Sequence, residues 1–190
     1  MRKLVYLGAC SVDMFIARPD GSYDLLLQEG EHMTDLLDSF PETMPGHLRD
    51  VLGIRGENKR FDAILMGRGT YEEASKVGLT NPYPHMHQYV FSQSMRERPD
   101  PRVELVSEDA VARVNCLKQE SGKDIWLCGG STLAATLFDQ IDELILKVSP
   151  ILLGSGKSLV AGGIKPTGLV PIESKSYRNG VILLHYRLQH

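Results

Sequence analysis

No two cysteines form a CxxC pair, no apolar run approaches bilayer length, and neither sign of charge dominates. Each absence removes a class of protein. Cys10, Cys116 and Cys128 are an odd set. Two lie inside apolar runs, so they read as reduced, buried side chains rather than a disulfide framework. No stretch comes near the roughly 18 apolar residues that span a bilayer, so no membrane partner is expected. The start MRKLVYLGACSVD has a short apolar run with Asp13 close behind. It reads as a core strand of a cytoplasmic protein rather than a secretion signal. A net charge of −3 with scattered Lys and Arg leaves no footprint for nucleic acid. The six histidines include no HExxH and no Cys-His cluster, and His85 and His87 stand in a proline-bearing loop, so no metal is expected. No GxSxG frames a nucleophilic serine.

What remains is an ordinary globular composition, 42% hydrophobic and 24% charged over 190 residues. That length suits one domain, residues 1–190, without linker or repeat. KLVYLGAC predicts a strand, and ARPDGSYD a turn. EHMTDLLDSF places Met33, Leu36, Leu37 and Phe40 at helical spacing, and HLRDVLGI suggests a second short helix. FDAILMGRGTYEEASKV reads as strand, glycine turn and helix. QYVFS and RVELVS are further strands, followed by a helix opened by Ser107 and Glu108 and closed by Gly122. DIWLCGG repeats the strand-to-glycine turn before a helix in STLAATLFDQ. ELILKVSPILLG reads as one long strand interrupted at Pro150. Asn179-Gly180 sits between two alternating stretches, the signal of a hairpin. The segments 41–57 and 78–86 read as irregular insertions. Strands alternating with helices imply an α/β fold with a mostly parallel sheet and an antiparallel C-terminal edge.

GSGKS looks at first like a phosphate-cradling loop. A glycine should stand five residues before Gly156-Lys157, where this chain has Ile151, and a helix should follow, where it has VAGGIKPTG. Lys157 therefore reads as a loop or subunit-contact residue. Two other junctions suit an anion better. In ILMGRGTYE, Gly67 permits close backbone approach, Arg68 supplies a permanent planar cation, and Thr70 suits a helix cap or a phosphate contact. In IWLCGGSTL, Gly129-Gly130 ends a strand and Ser131-Thr132 opens a helix, where free N–H groups and the positive dipole end collect. Each is also an ordinary turn and cap. Together, at the carboxyl edge of one α/β sheet, they suggest a dinucleotide. The end of YVFSQSM, with Ser92, Gln93 and Ser94, suits either a ribose or phosphate contact or a self-satisfied loop.

The order of VYLGACSVDMFIARPDG, FDAILMGRGTYE, QYVFSQSM and DIWLCGGSTLAATLFDQIDELILKVSPILLGSGKSL resembles the dihydrofolate reductase superfamily. The closer match is the branch holding the reductase domain of the bifunctional riboflavin-biosynthesis deaminase/reductase and its stand-alone homologues. It covers Lys3 to about Arg187. The resemblance implies a three-layer fold, NADPH as cofactor and a homodimer. By the same resemblance, Ala9 and Ile16 frame the nicotinamide amide. Gly67, Arg68 and Thr70 meet the 2′-phosphate and pyrophosphate. Ser92, Gln93 and Ser94 lie on the adenosine side, and Gly129, Gly130, Ser131 and Thr132 form the turn under the pyrophosphate. Asp24 falls past the first loop, where dihydrofolate reductases carry their pocket carboxylate, and is the candidate acid or substrate anchor. A turn or cap residue is the alternative. Lys147 falls on a substrate-lining strand; a snorkelling surface lysine is the alternative.

These readings lead to an NADPH-dependent reductase of a small pterin-like, pyrimidine-like or other carbonyl or imine substrate. Activity like that of 5-amino-6-(5-phosphoribosylamino)uracil reductase lies within that range, although no deaminase zinc motif is present. A true dihydrofolate reductase fits less well, because GSYDLLLQEGEH departs from that pocket and lacks its tryptophan. A non-catalytic ligand-binding protein on the same fold is the rival of a different class.

Overall fold

Alternation in LVYLGACS sends Val5, Leu7 and Ala9 to one side of a strand and Leu4, Tyr6 and Cys10 to the other. Both sides are apolar because both faces of the sheet are covered. In the computed structural model, which describes residues 1–98 and 100–190, this strand is β1 (Leu4–Ser11). The remaining strands are β2 (Phe15–Ala17), β3 (Phe61–Gly67), β4 (His87–Phe91), β5 (Val103–Val106), β6 (Asp124–Gly129), β7 (Glu143–Ser149), β8 (Lys157–Ser158), β9 (Gly168–Ser176) and β10 (Ile182–Gln189). The helices are α1 (Glu31–Ser39), α2 (Gly46–Val51), α3 (Arg68–Ser75), α4 (Ala110–Gln119) and α5 (Ser131–Thr136). Eight strands form one sheet in the order β5-β4-β3-β6-β1-β7-β10-β9. The first six are parallel, and β10 and β9 close the edge antiparallel.

The sheet has an apolar layer on each face. On one side Leu4, Tyr6, Leu65, Leu127 and Leu146 pack with Val114 and Leu117 of α4 and Leu133 and Leu137 of the α5 region. On the other, Val5, Phe61, Met66, Trp126 and Ile145 pack with Tyr71 of α3 and Met86. Two fully covered faces explain the near-continuous apolar runs of the central strands. The predicted hairpin is present, with Gly180 at φ 83° in its turn.

Several local readings need correction. β7 stops at Ser149 instead of running past Pro150, and 151–156 is loop. Asp13 holds that loop, accepting from the N–H groups of Leu153 at 3.0 Å and Gly154 at 2.7 Å. Beyond it β8 pairs with β2, a ribbon with no periodic signal in the sequence. The cap of α4 is Asp109, which accepts from the N–H groups of Val111 and Ala112, in place of Ser107 or Glu108. Asp109→Ala is therefore expected to cost about 1 kcal/mol in urea unfolding, and Ser107→Ala a few tenths. Gly122 does not close α4, whose C-cap is Glu120; it turns the chain at φ 147° beside Asp62. The predicted helix over STLAATLFDQ divides into α5 and a 3-10 turn, Phe138–Gln140. The short helix read in HLRDVLGI is α2, so segment 41–57 is not wholly irregular: it holds that helix and a 3-10 turn (Pro41–Thr43). Cys116 is exposed, whereas Cys10 is buried and Cys128 half-buried.

Candidate functional site

The carboxyl ends of β3, β4 and β6 lie side by side, because β3 pairs with β4 on one flank and with β6 on the other. β3 and β6 each leave the sheet through glycine into a helix. A Cβ on Gly67 would lie 3.4 Å from the backbone N of Gly130 and 3.7 Å from Gly129 O. The two turns thus lie close enough that a side chain on Gly67 would press on the second turn. Gly129 has φ 124°, a conformation natural to glycine, and the Gly129–Gly130 peptide is cis. Thr70 does not cap α3, whose N-cap is Gly67 without a side-chain bond. Its Oγ1 lies 3.4 Å from where a Cβ of Gly130 would stand, so it faces the second turn. Ser131 and Thr132 open α5 behind Gly130, which is its N-cap.

At the end of β4, Ser92 Oγ accepts from the N–H groups of Ser94 and Met95. The Arg68 guanidinium donates to Ser94 Oγ at 3.1 Å and lies 3.6 Å from Glu72. Gln93 is exposed beside them. The structure therefore brings Gly67, Arg68, Thr70, Ser92, Gln93, Ser94, Gly129, Gly130, Ser131 and Thr132 to one rim. Around Gly69 a Cβ would meet nothing within 4 Å, which leaves room above the α3 turn.

Ala9 and Lys147 lie in register on the neighbouring strands β1 and β7. Ile16 sits half-buried in β2, close to the same end of β1. Lys147 is not a surface lysine: it is 5% exposed. Its ammonium donates to the carbonyl of Leu27, with Gln28 Oε1 at 3.4 Å and Met33 Sδ at 3.9 Å. No carboxylate pairs with it among the described residues, and burial pushes its pKa down to about 8.

Asp24 is placed differently. Its side chain is 66% exposed and pairs with Arg18 at the surface. That geometry suits the turn-residue alternative better than a buried acid, and nothing joins Asp24 to Lys147 in the arrangement of the described residues. The sequence reading passed over His32, which is fully buried and whose pKa is lowered by that burial. Asn179 Nδ2 donates to its Nδ1 at 3.1 Å, so the neutral ring carries its proton on Nε2. Nε2 faces the Leu27 carbonyl at 3.4 Å. The Leu27 N–H in turn donates to Ser149 Oγ at 3.2 Å. A polar residue at the second position of a predicted amphipathic helix was the available signal. Among the described residues no cluster of His, Cys, Asp and Glu could hold a metal ion, and no helix is long and apolar enough to cross a membrane.

The RibD C-terminal domain family profile matches residues 2–183. The chain belongs to that family. It is 35% identical over 188 residues to the uncharacterized protein YwjB of Bacillus subtilis, covering 97% of each chain. Among solved structures, it superposes on a protein provisionally assigned to riboflavin biosynthesis from Shewanella sp. PV-4, with TM-score 0.74, 22% identity and 99% of each chain covered. A bifunctional diaminohydroxyphosphoribosylaminopyrimidine deaminase/5-amino-6-(5-phosphoribosylamino)uracil reductase from Thermotoga maritima matches with TM-score 0.64 and 15% identity. The match covers 98% of this chain and 56% of that one. A pyrimidine reductase-like protein from Corynebacterium diphtheriae matches with TM-score 0.62 and 16% identity, over 100% of this chain and 92% of the other. The fold is dihydrofolate reductase-like, and membership of the RibD C-terminal domain family makes the protein reductase-like.

Proposed function

We propose that the protein is a cytoplasmic, homodimeric NADPH-dependent reductase of a small carbonyl or imine compound. The observation that carries this reading is the close approach of the Gly67 and Gly129–Gly130 turns, with Arg68 and Ser94 bonded at their flank. Two turns built on glycine carry no side chain over their backbone, and the space at Gly69 is open, an arrangement that suits a pyrophosphate. Arg68, half-exposed and held among the described residues by Ser94 and a loose contact to Glu72, can fork onto a further phosphate. The residues present fit the cofactor. NADPH, when bound, would supply a hydride; the chain's own work is to hold it, orient the substrate and exclude water. Thr70, Ser131 and Thr132 would hold the pyrophosphate side, Ser92, Gln93 and Ser94 the adenosine side, and Ala9 and Ile16 the nicotinamide side. Lys147, beside Ala9, would face the substrate, whereas Asp24 is better placed to order the surface turn with Arg18.

Fluorescence titration of wild type and Arg68→Ala with NADPH and NADH tests the assignment. The wild type is expected to favour NADPH by at least tenfold. Loss of a charge-assisted phosphate contact of about 2 kcal/mol should weaken NADPH about 30-fold and leave NADH nearly unchanged. An unchanged preference in Arg68→Ala would move the phosphate contact elsewhere.

A further inference from the structure

Two donors converge on one oxygen beneath the surface of this protein, and that oxygen belongs to a loop. The Lys147 ammonium and the Nε2–H of His32 both point at the carbonyl of Leu27. The donors are firmly built. Lys147 stands on β7 between β1 and β10, paired with Ala9 and Leu183. His32 is fully buried on α1, and its ring is fixed by Asn179, whose own Oδ1 accepts from the Val181 N–H at 3.2 Å.

The acceptor is loosely built. The strap that carries it, Leu25 to Gln28, has no helical or strand pairing, and Leu25 and Leu27 are 41% and 38% exposed. Leu26 anchors it inward at 2% exposure, and besides the Lys147 contacts the Leu27 N–H donates to Ser149 Oγ at the end of β7. A buried ammonium whose partners among the described residues are all neutral is an unbalanced arrangement, since a lone buried charge is stabilised best by an anion or a strongly polarised oxygen. Burial has already moved the ammonium down to about 8, into the range where it can give up a proton near neutral pH. Farther along the same face, a cleft of about 250 Å³ is lined by Leu36, Ile145 and Leu183 together with Asp35, Lys175 and Tyr177; it stops short of Lys147, His32 and the strap, which cover one another. Leu36 is one turn beyond His32, Ile145 is two residues before Lys147 on the same face, and Leu183 is its cross-strand partner.

We infer that Lys147 and His32 form an oxygen-binding site for the substrate, and that the Leu27 carbonyl is an internal stand-in displaced when substrate binds. The inference rests on the reductase reading above and narrows it. The substrate would present a conjugated carbonyl oxygen, on which negative charge collects during reduction. NADPH, when bound, would supply a hydride to the electrophilic carbon, and the carbonyl π pair would then move onto the oxygen. Lys147 gives that oxygen its proton, becomes a neutral amine and recovers a proton from water. His32 Nε2–H keeps its proton and stabilises the charge by hydrogen bonding. Lys147 is then the catalytic residue, and Ser149 positions the strap.

Calorimetric titration with barbiturate tests this, because the probe is a flat heterocycle carrying delocalised enolate oxygens. Pyrimidine, the same ring without oxygen, is the control. Wild type, Lys147→Met and Ser149→Ala are each titrated with and without NADPH. Barbiturate is expected to bind wild type, to weaken at least tenfold in Lys147→Met, and to tighten several-fold in Ser149→Ala, where the strap has lost its tie. Pyrimidine should not respond to either change. Thermal midpoints control for folding: removing an uncompensated buried charge should hold or raise the midpoint of Lys147→Met. Absence of barbiturate binding to wild type, equal binding to Lys147→Met, or weaker binding to Ser149→Ala would each overturn the inference. Failure of NADPH to bind while barbiturate still discriminates Lys147→Met would instead sink the cofactor reading and leave the oxygen site standing.

Discussion

Glu143→Gln is expected to lower the stability of this protein by about 3 kcal/mol at neutral pH. Glu143 opens β7 with a side chain 4% exposed and receives Lys3 Nζ at 2.6 Å, His185 Nε2 at 2.7 Å and the Arg60 guanidinium. Arg60 also meets Asp124 at 3.2 Å and lies over the rings of Phe61 and Phe40. Burial alone would push the Glu143 carboxyl up, but the three donors overcome it and hold it at about 2, well below its ordinary 4.5. That depression corresponds to about 3 kcal/mol favouring the folded state when the group is charged. Because the folded value lies below the unfolded one, the contribution is complete above about pH 4.5 and drains away as pH falls toward 2. An amide keeps the shape and loses the charge, leaving three donors around a neutral group. Urea unfolding should show the full deficit at pH 7 and a much smaller one at pH 3. A deficit that stays constant between those pH values would mean that packing, rather than charge, holds this corner.

Gly156→Ala is expected to open the β2–β8 ribbon. A Cβ at this position would stand 2.1 Å from the carbonyl oxygen of Ala17, 3.2 Å from its carbon and 3.4 Å from the Cα of Arg18. All three are backbone, so no side chain can swing aside, and φ of 153° adds to the strain of any L residue. The cost is roughly 3 kcal/mol, limited by what unpairing the ribbon itself costs. The ribbon also carries the Leu159 N–H to Met14 O bond at 2.8 Å, and Tyr6 Oη donates to Leu159 O just beyond it. Hydrogen exchange should accelerate at residues 13–18 and 153–160 while the β1, β3 and β6 core stays protected. Because Ile16 rides on β2, dinucleotide affinity is expected to fall as well, unlike in Glu143→Gln. Unchanged exchange in both segments would contradict the placement of Gly156 against Ala17.

Legibility in the sequence followed the range of the interactions involved. The junctions at Gly67-Arg68 and Gly129-Gly130 were readable because a β-rich apolar run, a glycine and a helix opening are neighbours in the chain. Asn179-Gly180 was readable for the same reason. The ribbon was not: strands of three and two residues have no period, and their pairing depends on Gly156 approaching Ala17 across 139 positions of chain. Pro150 looked like a break within a strand because Asp13, which captures the following loop, is far away in sequence. The acid expected at Asp24 went to the surface, while the buried polar pair came from α1 and β7. Helical spacing had marked Met33, Leu36, Leu37 and Phe40 as the inner face of α1, yet His32 is the residue buried beside Leu36, since Asn179 and the Leu27 carbonyl satisfy its ring.

The most direct test of the central claim is the structure of the protein with NADPH bound. The account predicts the pyrophosphate against the Gly67–Thr70 and Gly129–Thr132 turns, the 2′-phosphate on Arg68 beside Ser94, and the nicotinamide between Ala9 and Ile16, next to Lys147. A dinucleotide bound away from the two glycine turns, or with its 2′-phosphate far from Arg68, would contradict it.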